Sequence, residues 1–114
     1  MRKSSYVPER GDVVWLDFDP QAGHEQAGRR PAFVLSPATY NGKTGLMLCC
    51  PITSQVKGYP FEVAVGENAM VQGVILSDQV KSLDWQARKA EKKGKVSKPV
   101  MEEVTAKVRA ILEG

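Results

Sequence analysis

The chain is short of the residues on which several classes of function rest. It holds two cysteines and one histidine among 114 residues. The cysteines, Cys49 and Cys50, are adjacent, so in a strand their side chains point to opposite faces and do not readily bridge each other. With no second cysteine pair and His24 as the only histidine, the ligands of a zinc site are wanting, and neither a transition-metal centre nor a cofactor is expected. The thiols read as buried, reduced and apolar. No apolar run approaches the roughly 20 residues that span a bilayer. The start, Met1-Arg2-Lys3-Ser4-Ser5, is basic but lacks the apolar stretch of a secretory signal, so a cytoplasmic protein without a membrane partner is expected. Aromatic residues make up 7% of the chain, which leaves few stacking platforms for single strands, with Tyr40, Tyr59 and Phe61 as candidates. No repeat, low-complexity tract or linker-like shift in composition divides the chain, and its length suits one domain, 1–114, with a modest core.

What is present is β-rich. Residues 12–18 (Asp-Val-Val-Trp-Leu-Asp-Phe) and 31–35 (Pro-Ala-Phe-Val-Leu) favour buried strands. They flank a loop carrying Gly23, His24, Glu25, Gly28, Arg29 and Arg30, too long for a tight hairpin and of the length at which loops are often functional. Residues 1–10 read as an arm that Tyr6, Val7 and Pro8 can anchor. The stretch 37–45 contains Asn41-Gly42, a turn signal. Strands are predicted at 46–52, with Pro51 near the end where a missing N–H costs least, then at 61–65, and near 73–77 with a continuation through Val80 and Leu83. Residues 53–60 form a second polar loop. Val100, Val104, Val108 and Ile111 recur at helical spacing, Met101 and Leu112 widen the stripe, and Pro99 suits a first helical turn. The expected fold is mainly β with a C-terminal helix (α+β), built as a small antiparallel sheet or barrel.

The net charge of +3 permits a polyanionic partner without requiring one. Arg88, Lys89, Lys92, Lys93, Lys95 and Lys98 cluster around a single acid, Glu91. Such a run reads first as a solvated loop leading into the helix, and otherwise as a phosphate-attracting face. Cleaving RNA without a metal needs three things: removal of the 2′-hydroxyl proton, protonation of the 5′-oxygen, and stabilisation of the phosphorane charge. A guanidinium fork suits the last, and Arg30, held against a strand by Pro31, is the leading candidate. Thr53 can donate a hydrogen bond to the same phosphate, and Glu25 can serve as base or orient another group. Each has an inert alternative. Arg30 can be a solvated strand edge, Thr53 a turn cap, Glu25 the ion-pair partner of Arg29, and His24 an idle loop imidazole.

The ordered set of segments resembles the MazF/PemK family of toxin endoribonucleases from toxin–antitoxin pairs. The matching residues are Arg10-Gly11-Asp12 with 13–20, Glu25-Gln26-Ala27-Gly28, Arg30-Pro31-Ala32 with 34–37, and Tyr40-Asn41. They continue with Lys43-Thr44-Gly45, Pro51-Ile52-Thr53, 57–63 and 78–82, and end in the helical C-terminus. The resemblance covers nearly the whole chain. It implies an SH3-like barrel, a homodimer, and metal-independent cutting of single-stranded RNA at short sequences, leaving a 2′,3′-cyclic phosphate and a 5′-hydroxyl. It also implies neutralisation by a cognate antitoxin whose acidic flexible tail occupies the RNA groove. The essential arginine and threonine fall on Arg30 and Thr53, the loop glutamate on Glu25, and a base-contacting position on Gln79. Lys57 falls in a loop that closes over the RNA. A well-known member has histidine where Arg29 stands. Arg29 cannot replace it as a base at neutral pH and is expected to add phosphate binding. Two rivals remain: a toxin of the same fold that poisons gyrase and cuts nothing, and an RNA-binding barrel without chemistry.

Overall fold

In a computed structural model, residues 6–18 and 28–114 are described. Along the chain these form β1 (Asp12–Asp17), β2 (Arg29–Val34), α1 (Ala38–Thr44), β3 (Leu46–Thr53) and β4 (Glu62–Ala64). A 3-10 turn (Glu67–Ala69) follows, then β5 (Val74–Leu76), β6 (Lys81–Asp84), β7 (Glu91–Lys95) and α2 (Lys98–Glu113). The seven strands make one antiparallel sheet in the order β4-β5-β3-β2-β1-β7, with β6 added on β3. A mainly β chain with a C-terminal helix is therefore what forms. Among the described residues no pairing joins β4 to β7, so the sheet is an open path.

The continuous apolar runs of β1, β2 and β3 are explained by burial on both faces. Val13, Phe33, Cys50 and Ile52 point into one core, which α2 covers with Val104 and the flanking Val100, Met101 and Val108. Val14, Leu16, Ala32, Val34 and Cys49 point into the other, closed by Trp85 and by Tyr6 and Val7 of the arm. The adjacent cysteines thus separate into the two cores as free thiols. Pro99 stands in the first turn of α2, and Ser97 accepts the Val100 N–H at 3.4 Å. The expected stripe does not run to the end of that helix, because Ile111 is 46% and Leu112 77% exposed.

Three expectations are corrected. The Asn41-Gly42 turn is instead the middle of α1, which ends in the left-handed Gly45. Asn41 is fully buried. It donates to the carbonyls of Pro8 at 2.7 Å and Ser36 at 2.9 Å and accepts from the Ser36 hydroxyl at 2.6 Å. The Trp85 indole in turn donates to the Asn41 carbonyl at 2.9 Å. Those distant partners hold the segment helical, where sequence alone favours a turn. The fifth strand does not continue through Val80. It turns after Leu76, whose carbonyl accepts the Gln79 N–H, and β6 is a separate strand on β3. The basic run does not stay a loop, because its middle pairs with β1 as β7. A Cβ on Gly94 of that strand would collide with the Ala69 carbonyl, so only glycine lets β7 lie against the 3-10 turn. Every lysine of β7 is exposed, the charged pattern by which an edge strand resists further pairing.

Burial sets two outcomes. Asn41→Ala would leave several buried acceptors and a hydroxyl unpaired, so unfolding in urea should show a loss of about 3 kcal/mol. Burial, above all, pushes the Cys49 and Cys50 thiols up to about 12. An unfolded thiol ionises near 9, so both contribute stability below that pH and lose it as the pH rises from about 9 toward 12. Tyr6, raised by burial and by its bond to Asp12, acts in the same direction. Unfolding free energies from urea titrations across that window should fall by up to about 1.4 kcal/mol per pH unit per thiol. The slope should be shallower in Cys49→Ala and Cys50→Ala proteins.

Candidate active site

The site is made where the β2–β3 ladder stops. Leu35 donates to the Leu48 carbonyl at 2.8 Å, and the register runs on through Val34↔Cys49, Phe33↔Cys50 and Ala32↔Pro51. Bonded pairs alternate along an antiparallel ladder, so the next bonded pair would be Pro31 and Ile52, where the Pro31 carbonyl can accept but Pro31 has no N–H to give in return. Pairing ends there. Continuing the same register by two residues sets Arg30 across from Thr53, on the face that carries Ala32 and Cys49. Pro51 also lies between Cys49, which pairs with β6, and Ile52, which pairs with β5. Its missing N–H therefore falls where β3 changes partner.

Three recesses meet at this point, and Thr53 lines all of them. One of about 240 Å³ holds Arg30, Thr53, Gln79 and Lys81 with Phe18 and Pro51. A second, about 500 Å³, lies between Arg30 and Thr53 on one side and Met70 and Gln72 on the other, with Trp15 in its lining. The third, about 190 Å³, sits under the β3–β4 loop with Lys57, Tyr59, Phe61 and Gln79. The sequence-predicted Arg30, Thr53, Gln79 and Lys57 are thus brought together by β2, β3, the turn after β5 and the 53–60 loop. Glu25 and His24 lie outside the described residues. Lys81 is a site residue that the sequence pattern hides, because a fifth strand continuing through Val80 buries the turn signal of Ser77-Asp78.

Thr53 accepts the Gln55 N–H at 3.1 Å through its hydroxyl oxygen, which leaves the hydroxyl proton free to donate. The turn-cap alternative and a donor role are therefore compatible. Arg29 and Arg30 are successive strand residues and point to opposite faces. Arg30 is exposed and lines two of the recesses. The Arg29 guanidinium is engaged by the protein itself: it donates to the carbonyls of Trp15 at 2.8 Å and Lys89 at 2.6 Å and pairs with Asp17 at 3.3 Å and Glu91 at 3.7 Å. Arg88 donates to the Asp17 carbonyl at 3.0 Å and to that of Phe18. Both arginines therefore fasten the stem from which the loop after β1 departs. Among the described residues, no group of three or more His, Cys, Asp or Glu is arranged to hold a metal ion.

Gly73 fixes how closely β5 approaches. Its φ is +124°, and any Cβ there would overlap the Thr53 carbonyl and crowd Ser54. Gly73→Ala should push Thr53 from its place. The backbone amide resonances of Thr53 and Ser54 should therefore shift in the Gly73→Ala protein while its circular dichroism spectrum stays native.

A sequence profile described as "PemK-like, MazF-like toxin of type II toxin-antitoxin system" matches residues 9–112. The chain is 53% identical over 109 residues to the endoribonuclease toxin MazF of Escherichia coli K12, covering 96% of this chain and 97% of that protein. Its structure is similar to a crystal structure of MazF from Deinococcus radiodurans, with a TM-score of 0.86 and 55% identity, covering 96% of this chain and 100% of that one. It is also similar to a MazE-MazF structure from the same organism, with a TM-score of 0.85 and 49% identity, covering 96% and 98% respectively.

Proposed function

We propose the reaction that follows from one premise: the chain belongs to the PemK-like, MazF-like toxin family of type II toxin-antitoxin systems. It is an endoribonuclease toxin. The curated relatives that it matches carry endoribonuclease names, which favours cleavage over the gyrase-poisoning rival. The substrate is single-stranded RNA, cut at short sequences without a metal ion. The 2′-hydroxyl attacks the adjoining phosphorus as its proton leaves to a base, and the 5′-oxygen departs with a proton. The ends are then a 2′,3′-cyclic phosphate and a 5′-hydroxyl.

Arg30 holds two non-bridging oxygens of the phosphorane through its planar fork, and Thr53 donates its free hydroxyl proton to the same group. Glu25 acts as the base or orients it. Gln79 meets a base edge, and Lys57 meets a neighbouring phosphate. Arg29 shares in RNA binding less through its own fork than by fixing the strand from which Arg30 projects. The observation that carries this reading is the interrupted ladder, which sets Arg30 and Thr53 across a gap at the meeting of three recesses. The sheet curls into an SH3-like barrel as one domain, and two copies pair as a homodimer. A cognate antitoxin binds the protein, which the MazE-MazF complexes among similar structures support, and its acidic tail covers the groove. Translated RNA, and hence the cytoplasm, is where such an enzyme acts.

The test is incubation of the purified protein, in EDTA, with mixed single-stranded RNA and its DNA counterpart, followed by mapping of product ends. Site-limited RNA cuts bearing cyclic phosphate are expected, with DNA untouched. Removing transition-state donors costs on the order of 100- to 1,000-fold each, so Arg30→Ala and Thr53→Ala should be nearly inactive yet folded. His24→Ala should keep most activity. A fully active Arg30→Ala protein overturns the assignment.

A further inference from the structure

We propose that Glu62 is a positioning residue for the RNA groove, holding the 53–60 loop in the shape that receives the strand beside the scissile phosphate. The inference rests on the ribonuclease reading. The carboxylate of Glu62 accepts two consecutive backbone N–H groups, that of Lys57 at 3.0 Å and that of Gly58 at 2.9 Å. Its own N–H donates to the Tyr59 carbonyl at 3.1 Å, so the residue closes the loop from both backbone and side chain.

A carboxylate on the wall of a groove meant for RNA would repel phosphate, and Glu62 and Asp78 both line the recess under this loop. Asp78 is exposed, on the turn after β5. The charge of Glu62 is taken up by the loop amides, because an ionised oxygen accepting an N–H makes a stronger bond than a neutral one. That placement is useful only if the loop must be shaped. Lys57 is the loop cation, and Tyr59 stands 60% exposed at the loop's far side. Gly58 has φ +83° with open space around a notional Cβ, so its glycine serves the backbone turn that aims both N–H groups at Glu62.

The two ends of the loop are fixed independently. Thr53 accepts the Gln55 N–H at the start, and Lys107 of α2 donates to the Pro60 carbonyl at 2.7 Å near the end. Between these ends, the Glu62 side chain holds the middle of the loop through the Lys57 and Gly58 amides. Its loss should leave Arg30, Thr53 and the core in place while Lys57, Tyr59 and the recess lose their set geometry. The residue therefore acts on binding rather than on the chemical step.

The experiment is steady-state cleavage of a single-stranded RNA oligonucleotide that the native protein cuts, with Glu62→Ala and Glu62→Gln compared. Glu62→Ala should raise KM by about tenfold and leave kcat within about twofold, the pattern of lost uniform binding. Glu62→Gln keeps one acceptor and turns a donor toward the other N–H, so it should lie between the two. Amide hydrogen exchange at Lys57 and Gly58 should be slow in the native protein and fast in Glu62→Ala, with the Phe33 and Cys50 amides protected in both. A native KM in folded Glu62→Ala, or a fall in kcat at unchanged KM, overturns the proposal. If the native protein cuts no RNA, the ribonuclease reading is what fails, and unaltered exchange at Lys57 and Gly58 in Glu62→Ala would still overturn the role of Glu62 on its own.

Discussion

Strand β3 bonds to three others, and most of the architecture follows from how it divides its two edges. Along one edge it pairs with β2 from Val34↔Cys49 to Ala32↔Pro51. Along the other it pairs first with β6 and then with β5. A strand that served one partner per edge would make a flat ladder with no opening. Two prolines, Pro31 and Pro51, remove N–H groups at the positions where the partners part, and the ladder opens beside Thr53. The gap is thus a property of hydrogen-bond supply, placed by residues that cannot donate.

The same pleat distributes chemistry by parity. Cys49 and Cys50 separate into two cores, and Arg29 and Arg30 separate into a fastening and an exposed fork. A pair of identical side chains therefore does two jobs because strand side chains alternate. Asp12 at the start of β1 works in a comparable way. Buried to 1% exposure, it accepts the Tyr6 hydroxyl at 2.6 Å and the Glu9 N–H at 3.0 Å, and Lys92 and Lys95 stand 3.5 and 3.6 Å away. The arm and β7 are thereby drawn to one carboxylate. A buried charge of this kind is tolerated only when so surrounded, and removing one of its partners is expected to be more harmful than replacing the whole group.

Electrostatics around the open end of the sheet is graded. Arg30, Lys57 and Lys81 line the recesses, whereas the carboxylates of Asp17, Glu62 and Glu91 are each occupied by an arginine or by backbone N–H groups. Of the two carboxylates that line the recesses, Glu62 is spent on internal contacts and Asp78 stays exposed, while the three cations Arg30, Lys57 and Lys81 face outward. A modest net charge of +3 is compatible with a polyanion-binding face because the signs are sorted in space rather than in composition.

The sequence by itself determined the strands 12–18, 31–35 and 46–52, the C-terminal helix, the burial of both thiols and the family to which the ordered segments belong. Those features are carried by local periodicity or by an ordered motif. Only the tertiary structure decided that 38–44 is a helix, that the basic run supplies an edge strand, that β6 is separate and that Arg29 fastens the stem. It likewise decided that Glu62 holds a loop. The reason is common to all of them: each depends on a partner that is local only once the chain has folded. Asn41 is held by Pro8 and Trp85, Arg29 by Lys89, and β7 by β1. A charged edge strand has no apolar alternation to announce it, and a side chain's hydrogen-bond partner leaves no trace in spacing.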